Sequence, residues 1–205
     1  MLPVGLDRLR LGIKNKNCVF YFVLLSACTI FAKMDYKVFA PSRVECEVNL
    51  PASKSISNRV LIINALAGGN SDVKNVAKCD DTDAMVNALS NADVAEVNIG
   101  AAGTAMRFLT GFYAVQEGRT VLLDGSERMR HRPIKILVDA LRSCGGDIEY
   151  AGEEGFPPLR IRGKKLSASE ISLRGNVSSQ YISSVLMISP LVDGLERVKL
   201  TEEVI

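Results

Sequence analysis

From Met34 onward the chain alternates short strand-like runs with helix-like runs, but not strictly. Val44, Cys46, Val48 and Leu50 alternate with polar residues, the pattern of a half-buried strand. Ile56, Val60, Ile63 and Ala67 then recur at helical spacing. Ser53 or Ser55 stands ready to cap that helix, and Gly68-Gly69 to end it. A second helix is predicted over 82–91, capped by Asp80 or Asp81, then a strand over 94–99. An apolar helix over 105–115 and a strand over 120–123 follow, the strand stopping at the Asp124-Gly125 turn. Pro133 suits the first position of a helix that ends at Gly145-Gly146, with Ile134, Leu137, Val138 and Leu141 on one face. Next come strand-like pieces around Ile148, at 159–162 and at 171–173, with no helix between them. A helix from about Ser178 to Ser189 and a strand over 195–200 complete the pattern. A doubly wound parallel sheet would alternate more strictly. The pattern predicts an α+β fold with a strand–helix unit recurring roughly every 50 to 70 residues.

Three of the predicted helices open in the same way. Ser53-Lys54-Ser55-Ile56-Ser57-Asn58-Arg59, Ala101-Ala102-Gly103-Thr104-Ala105-Met106-Arg107 and Asn176-Val177-Ser178-Ser179-Gln180 each offer small residues, hydroxyls and free backbone N–H groups. Free N–H groups and the helix dipole make such ends suitable for anions. The dipole alone contributes only about 0.3–1 kcal/mol, whereas a charged hydrogen bond contributes about 1.5–3 kcal/mol. The nearby cations are therefore the larger factor. Arg59 lies one turn past Ser55 and Arg107 three residues past Thr104, so each shares a face with its helix start. A fourth feature is Arg128-Met129-Arg130-His131-Arg132-Pro133, three arginines that repel one another unless they face anions or solvent. Each feature alone has an ordinary explanation: a cap, a close packing contact, a solvated loop. All four in one chain point to a ligand with several negative charges, such as a phosphate plus carboxylates.

Charge and composition narrow the classes further. Lys and Arg number 25 against 23 Asp and Glu, a net charge of +2. That is less than the basic excess a duplex-DNA binder usually carries, so no nucleic-acid partner is expected. A single histidine, His131, excludes a His-rich metal site. Neither a Walker-type phosphate loop nor G-x-G-x-x-G occurs, so a nucleotide is not indicated. The five cysteines, Cys18, Cys28, Cys46, Cys79 and Cys144, lack C-x-x-C spacing and are odd in number. They read as small buried residues in a reducing compartment rather than a disulfide framework.

Pro51-Ala52-Ser53-Lys54-Ser55-Ile56-Ser57-Asn58-Arg59 closely resembles the P-x-S-K-S-x-S-N-R signature of the EPSP synthase (3-phosphoshikimate 1-carboxyvinyltransferase) family. Ala102-Gly103-Thr104-Ala105-Met106-Arg107 resembles the family's second signature. Arg128 to Ile134 and Val177-Ser178-Ser179-Gln180-Tyr181 resemble two more family segments, in the right order. The resemblance runs from about Val38 to the C-terminus. The sister family that uses UDP-N-acetylglucosamine lacks the K-S-x-S-N-R run and uses a catalytic cysteine, for which no motif is present.

The resemblance implies one lobe of a two-lobe enzyme, each lobe an inside-out α/β barrel of βαβαββ repeats whose helix N-termini face the cleft. It implies transfer of the enolpyruvyl group of phosphoenolpyruvate to the 5-hydroxyl of shikimate 3-phosphate, with release of phosphate, no metal and no cofactor, and a monomeric full-length enzyme. The expected chemistry is protonation of the enol methylene and attack by the hydroxyl, through a tetrahedral intermediate. Carried over by motif, Lys54, Ser55, Arg59, Ser178, Ser179 and Gln180 bind shikimate 3-phosphate. Lys54, Gly103, Thr104, Arg107 and Arg128 line the phosphoenolpyruvate site, and Lys54 positions both substrates. The acid–base residues belong to the other lobe. Two positions depart from the family's pattern. Ala101 stands where Asn is frequent, which takes a polar side chain away from the phosphoenolpyruvate region. Phe108 stands where Pro is frequent, beside Gly103 and Thr104, and bears on the response to phosphoenolpyruvate mimics such as glyphosate.

Three segments are expected. Residues 51–205 form the shikimate 3-phosphate-binding lobe, truncated at its C-terminal side, so the chain alone is expected to bind substrate weakly and not to turn over. Residues 34–50 supply a strand region that belongs to the other lobe in the family. Residues 1–33 look different: Arg8, Arg10, Lys14 and Lys16 precede an apolar run from Cys18 to Ala32. That run is short for a membrane span of about 20 residues but suits the core of a signal peptide. Leu25-Ser26-Ala27-Cys28 resembles a lipobox. An export signal lipidated at Cys28, a packed core segment, and an upstream stretch before a true start at Met34 all remain open. The last is preferred, with a cytoplasmic location. The competing function is a non-catalytic, lipid-anchored or exported lobe that binds anionic metabolites.

Overall fold

A computed structural model describes residues 47–91 and 94–203. The chain divides into two units, Met1–Pro51 and Ala52–Ile205. In the first, residues 47–51 are exposed and carry no regular secondary structure. The strand expected through Val48 and Leu50 is absent there, and these side chains are 51% and 84% exposed. Both faces of this stretch are exposed, so the alternation of its side chains marks no buried face. Val44, Cys46, Met34 and the whole leader segment, Cys28 included, lie outside the described residues.

The second unit begins with helix α1, Lys54–Leu66, and helix α2, Asp80–Ser90. Strand β1, Glu96–Asn98, leads into helix α3, Gly103–Ala114, and strand β2, Thr120–Asp124. A short helix α4, Glu127–Arg130, precedes helix α5, Lys135–Ser143. Strands β3, Asp147–Tyr150, and β4, Leu159–Arg162, follow directly. Then come β5, Leu166–Ser167, β6, Glu170–Arg174, helix α6, Ser179–Ile188, β7, Val192–Asp193, and β8, Arg197–Thr201. One sheet has the order β1-β2-β4-β3, with β1 and β2 parallel and the other neighbours antiparallel. From Glu96 to Arg162 the chain therefore completes one βαβαββ unit. The parallel pair β6–β8, joined through α6, starts the same pattern again. No helix among the described residues is long and apolar enough to cross a membrane.

Helix α3 is buried at every residue. Its sequence is mostly apolar, with Thr104, Arg107 and Thr110 as its polar residues, and such a helix is stable only when other elements surround it. Gly111 lets α6 approach closely: a Cβ there would lie 2.5 Å from Ser184 Oγ, whose hydroxyl donates to the Arg107 carbonyl at 2.8 Å. On β2 and β4 the alternate residues Val121, Leu123, Leu159 and Ile161 are fully buried, and α5 buries Leu137, Val138 and Leu141 as its spacing predicts. Cys144 is buried and Cys79 half-buried, both as free thiols.

Three local expectations are corrected. On α1 the apolar stripe of Ile56, Val60 and Ile63 is exposed, and Ser57, Asn58 and Ile62 face inward. Hydrogen bonds decide this: Ser57 Oγ accepts from Ala77 N at 2.9 Å, and Asn58 Oδ1 accepts from Thr82 Oγ1 at 3.0 Å. The N-cap of α2 is Cys79, which makes no capping bond through its side chain, and Asp80 and Asp81 lie inside the first turn, where they favour the dipole. Pro133 sits before α5 rather than at its first position. Ile134 N donates outward to Gly155 O at 2.9 Å, so the helix starts at Lys135.

Candidate functional site

Helices α1, α2, α3 and α6 start at one end of the second unit. Residues near the front of one helix meet residues near the front of the next. Lys54 Nζ pairs with Asp81 Oδ2 at 3.2 Å, joining the starts of α1 and α2. Gln180 Nε2 donates to Thr104 Oγ1 at 3.1 Å, joining the starts of α6 and α3. One turn in, Arg59 donates to Ser183 Oγ at 2.9 Å and lies over the Phe108 ring, 5.3 Å from its centroid. These matched depths make the helices parallel, with their unpaired N–H groups and positive dipole ends together.

The arginines reach the same end through the sheet. Because β1 and β2 are parallel, their C-terminal ends lie side by side: Ile99 N donates to Asp124 O at 3.0 Å and Ser126 N to Gly100 O at 2.8 Å. Gly125 is required in this crossing, since a Cβ would stand 2.6 Å from Gly100 O. The chain after β2 thus carries Arg132 to the start of α3, with the Arg128 charge near enough to act on it. Arg107 is 5% exposed; it donates to Gly103 O at 2.9 Å and lies 5.7 Å from the Tyr181 ring centroid. Arg130 turns away and forms a two-pronged pair with Asp124, at 3.1 and 2.5 Å. That pairing holds the Asp124 carboxyl below its usual range. Among the described residues no carboxylate forms an ion pair with Arg107, Arg128 or Arg132. Partial burial, then the Arg107 and Arg128 charges, lower the pKa of Arg132, while Tyr181 and Asp81 act the other way.

The expected site residues divide accordingly. Lys54, Gly103, Thr104, Arg107 and Gln180 gather at the shared end, and Arg59 braces it one turn deeper. Ser178 Oγ caps α6 by accepting from Gln180 N at 3.4 Å, whereas Ser55 and Ser179 are exposed at their helix starts. Arg128 is exposed on α4. Sequence reasoning missed four contributors: Asp81, which holds Lys54; Phe108 and Ser183, which hold Arg59; and Arg132, which lies against Gly103. Arg132 had a signal as one of three clustered arginines whose pairing the sequence does not reveal, Phe108 as a departure from the family's pattern and Asp81 as a candidate helix cap, but none of the three pointed to these partners. Among the described residues no three His, Cys, Asp or Glu side chains are grouped as a metal site would require.

The family model for EPSP synthase (3-phosphoshikimate 1-carboxyvinyltransferase) matches residues 38–96 and 91–205. The chain belongs to the EPSP synthase family. A 3-phosphoshikimate 1-carboxyvinyltransferase of Bacteroides fragilis is 51% identical over 172 residues, covering 84% of this chain and 42% of that enzyme. One from Vibrio cholerae is 40% identical over 184 residues, covering 78% of this chain and 43% of that enzyme. The chain thus spans less than half the length of these EPSP synthase relatives. The solved EPSP synthase of Acinetobacter baumannii superposes with a TM-score of 0.65 at 22% identity, over 76% of this chain and 40% of its own. That likeness shows the fold: the inside-out α/β lobe of EPSP synthases.

Proposed function

We propose that residues 51–205 are the shikimate 3-phosphate-binding lobe of an enzyme that transfers the enolpyruvyl group of phosphoenolpyruvate to the 5-hydroxyl of that ligand. The observation that carries the reading is the convergence of helix starts and unpaired arginines at one end of the unit. Lys54, Ser55, Arg59, Ser178, Ser179 and Gln180 hold shikimate 3-phosphate. Gly103, Thr104 and Arg128 hold phosphoenolpyruvate with Lys54, and Arg107 adds its charge from beneath Gly103. Both substrates are polyanions, so their mutual repulsion must be offset before they react. Preorganised cations and helix N-termini do that without reorganising during reaction. Residues 34–50 belong with the other lobe, which supplies the acid–base groups, and the location is cytoplasmic. The 205-residue chain alone binds substrate weakly and does not turn over, in keeping with the 42% of its relative that it spans.

Calorimetry on the purified chain tests this. Shikimate 3-phosphate should bind more tightly than phosphoenolpyruvate, because more of its contacts lie in this lobe, and a mixture of both should release no phosphate. The reverse order of affinity contradicts the assignment, and phosphate release contradicts the need for a second lobe.

A further inference from the structure

We infer that Arg132 is a further anion-binding residue, gripping a phosphate or carboxylate group of a substrate at the N-terminus of α3 together with Arg128. The inference rests on the site reading above and adds a residue to it. Three arginines occupy Arg128 to Arg132, and the structure treats them differently. Arg130 is neutralised by both oxygens of Asp124. Arg132 has no such partner among the described residues. Its guanidinium lies against Gly103, the first residue of α3. A Cβ on Gly103 would overlap an Arg132 terminal nitrogen and stand 3.0 Å from its Cζ and from an Arg107 terminal nitrogen. Glycine at this point lets two guanidinium groups reach the helix start.

An independent observation points to a ligand. Arg107 is more than nine-tenths buried; its terminal nitrogens donate to the Gly103 and Pro133 carbonyls, at 2.9 and 3.5 Å, and only its Nε is buried with no partner. A buried cation without a carboxylate, beside two more cations at the positive end of a helix, is unfavourable until an anion arrives. The pKa of Arg132 is lowered by burial and by Arg107 and Arg128, which accords with that repulsion. Arg132 is exposed, so a ligand can reach it, yet its guanidinium is not free to roam. Here the segment is held: Met129 is buried, Arg132 N donates to Met129 O at 3.0 Å, and Tyr181 Oη donates to Pro133 O at 2.6 Å. A planar fork of donors held in place suits a carboxylate or phosphate.

The test titrates the full chain, at constant ionic strength, with phosphoenolpyruvate, inorganic phosphate and pyruvate. Arg132→Gln should weaken phosphoenolpyruvate binding by about tenfold or more, the loss expected for one charged hydrogen bond. Arg130→Gln should change it less than twofold. Arg132→Lys should recover part of the loss, since it restores charge without the fork. Loss confined to phosphate, or to pyruvate, assigns the group that Arg132 holds. The ligand-free melting temperature separates this role from a structural one: Arg132→Gln should leave it unchanged or raise it, and Arg130→Gln should lower it. Native-like binding by Arg132→Gln, or a melting temperature lowered as in Arg130→Gln, overturns the inference and leaves the wider site reading intact. A native chain that binds none of the three probes overturns both.

Discussion

Helices α1 and α3 both present a signature segment at the same end of the molecule, yet they are secured by opposite means. Helix α3 is mostly apolar and buried at all of its residues. Helix α1 buries two polar residues, Ser57 and Asn58, and leaves Ile56, Val60 and Ile63 exposed. Packing thus positions Gly103 and Arg107, whereas hydrogen bonds to Ala77 and Thr82 position Lys54 and Arg59. Packing is strong but unselective in direction. Buried hydrogen bonds contribute less each, but they admit one orientation and penalise all others.

The largest effect should fall on the packed helix. Leu109→Ala, at a fully buried position of α3, should cost about 2–5 kcal/mol of stability by chemical denaturation; a smaller loss would mean that α3 is not the central support. Lys54→Met in a full-length enzyme should lower turnover at least about a hundredfold, equivalent to roughly 2.7 kcal/mol of transition-state stabilisation. Its melting temperature should hold, because Lys54 is half-exposed at a helix start. A loss of fold would show that the Lys54–Asp81 pair is structural. Asn58→Ala should cost about 1–3 kcal/mol, since it leaves the buried Thr82 hydroxyl with only the weak Cys79 thiol as a partner; a neutral outcome would remove the distinction between the helices. Phe108→Leu joins the two, because it takes the ring from under Arg59. It should weaken shikimate 3-phosphate binding by about 0.5–1 kcal/mol, read by titration, and affect phosphoenolpyruvate less. The smallest effect is expected for Ile63→Gln, within about 0.5 kcal/mol. A large destabilisation there would mean that the apolar stripe of α1 is covered in the folded chain.

Much of the fold could be read from the residues. The succession of strands and helices, the buried face of α5 and the start of α6 follow from local periodicity and capping chemistry, which act within a few residues, whereas the βαβαββ unit is what the family resemblance implies. The inward face of α1 could not be read. The stripe through Ile56, Val60 and Ile63 and the stripe through Ser57, Asn58 and Ile62 share the helical period, so spacing cannot choose between them. Capping of α2 failed for a related reason: Asp80 and Asp81 suit both the cap and the first turn, and Asp81 is drawn to Lys54.

The candidate site divides along the same line. Small residues, hydroxyls and cations at three helix starts mark the ends that favour anions, because a helix exposes its free N–H groups wherever it begins. That much is local chemistry. Which arginine stays available is not. Arg130 and Arg132 are alike in type and two positions apart, and one meets Asp124 while the other meets Gly103. The Arg130–Asp124 pair is local, six residues apart, whereas the parallel pairing of β1 with β2 brings Arg132 to Gly103 across a long separation in sequence. Charge is a property of the residue, but its neutralisation depends on what the folded chain places beside it.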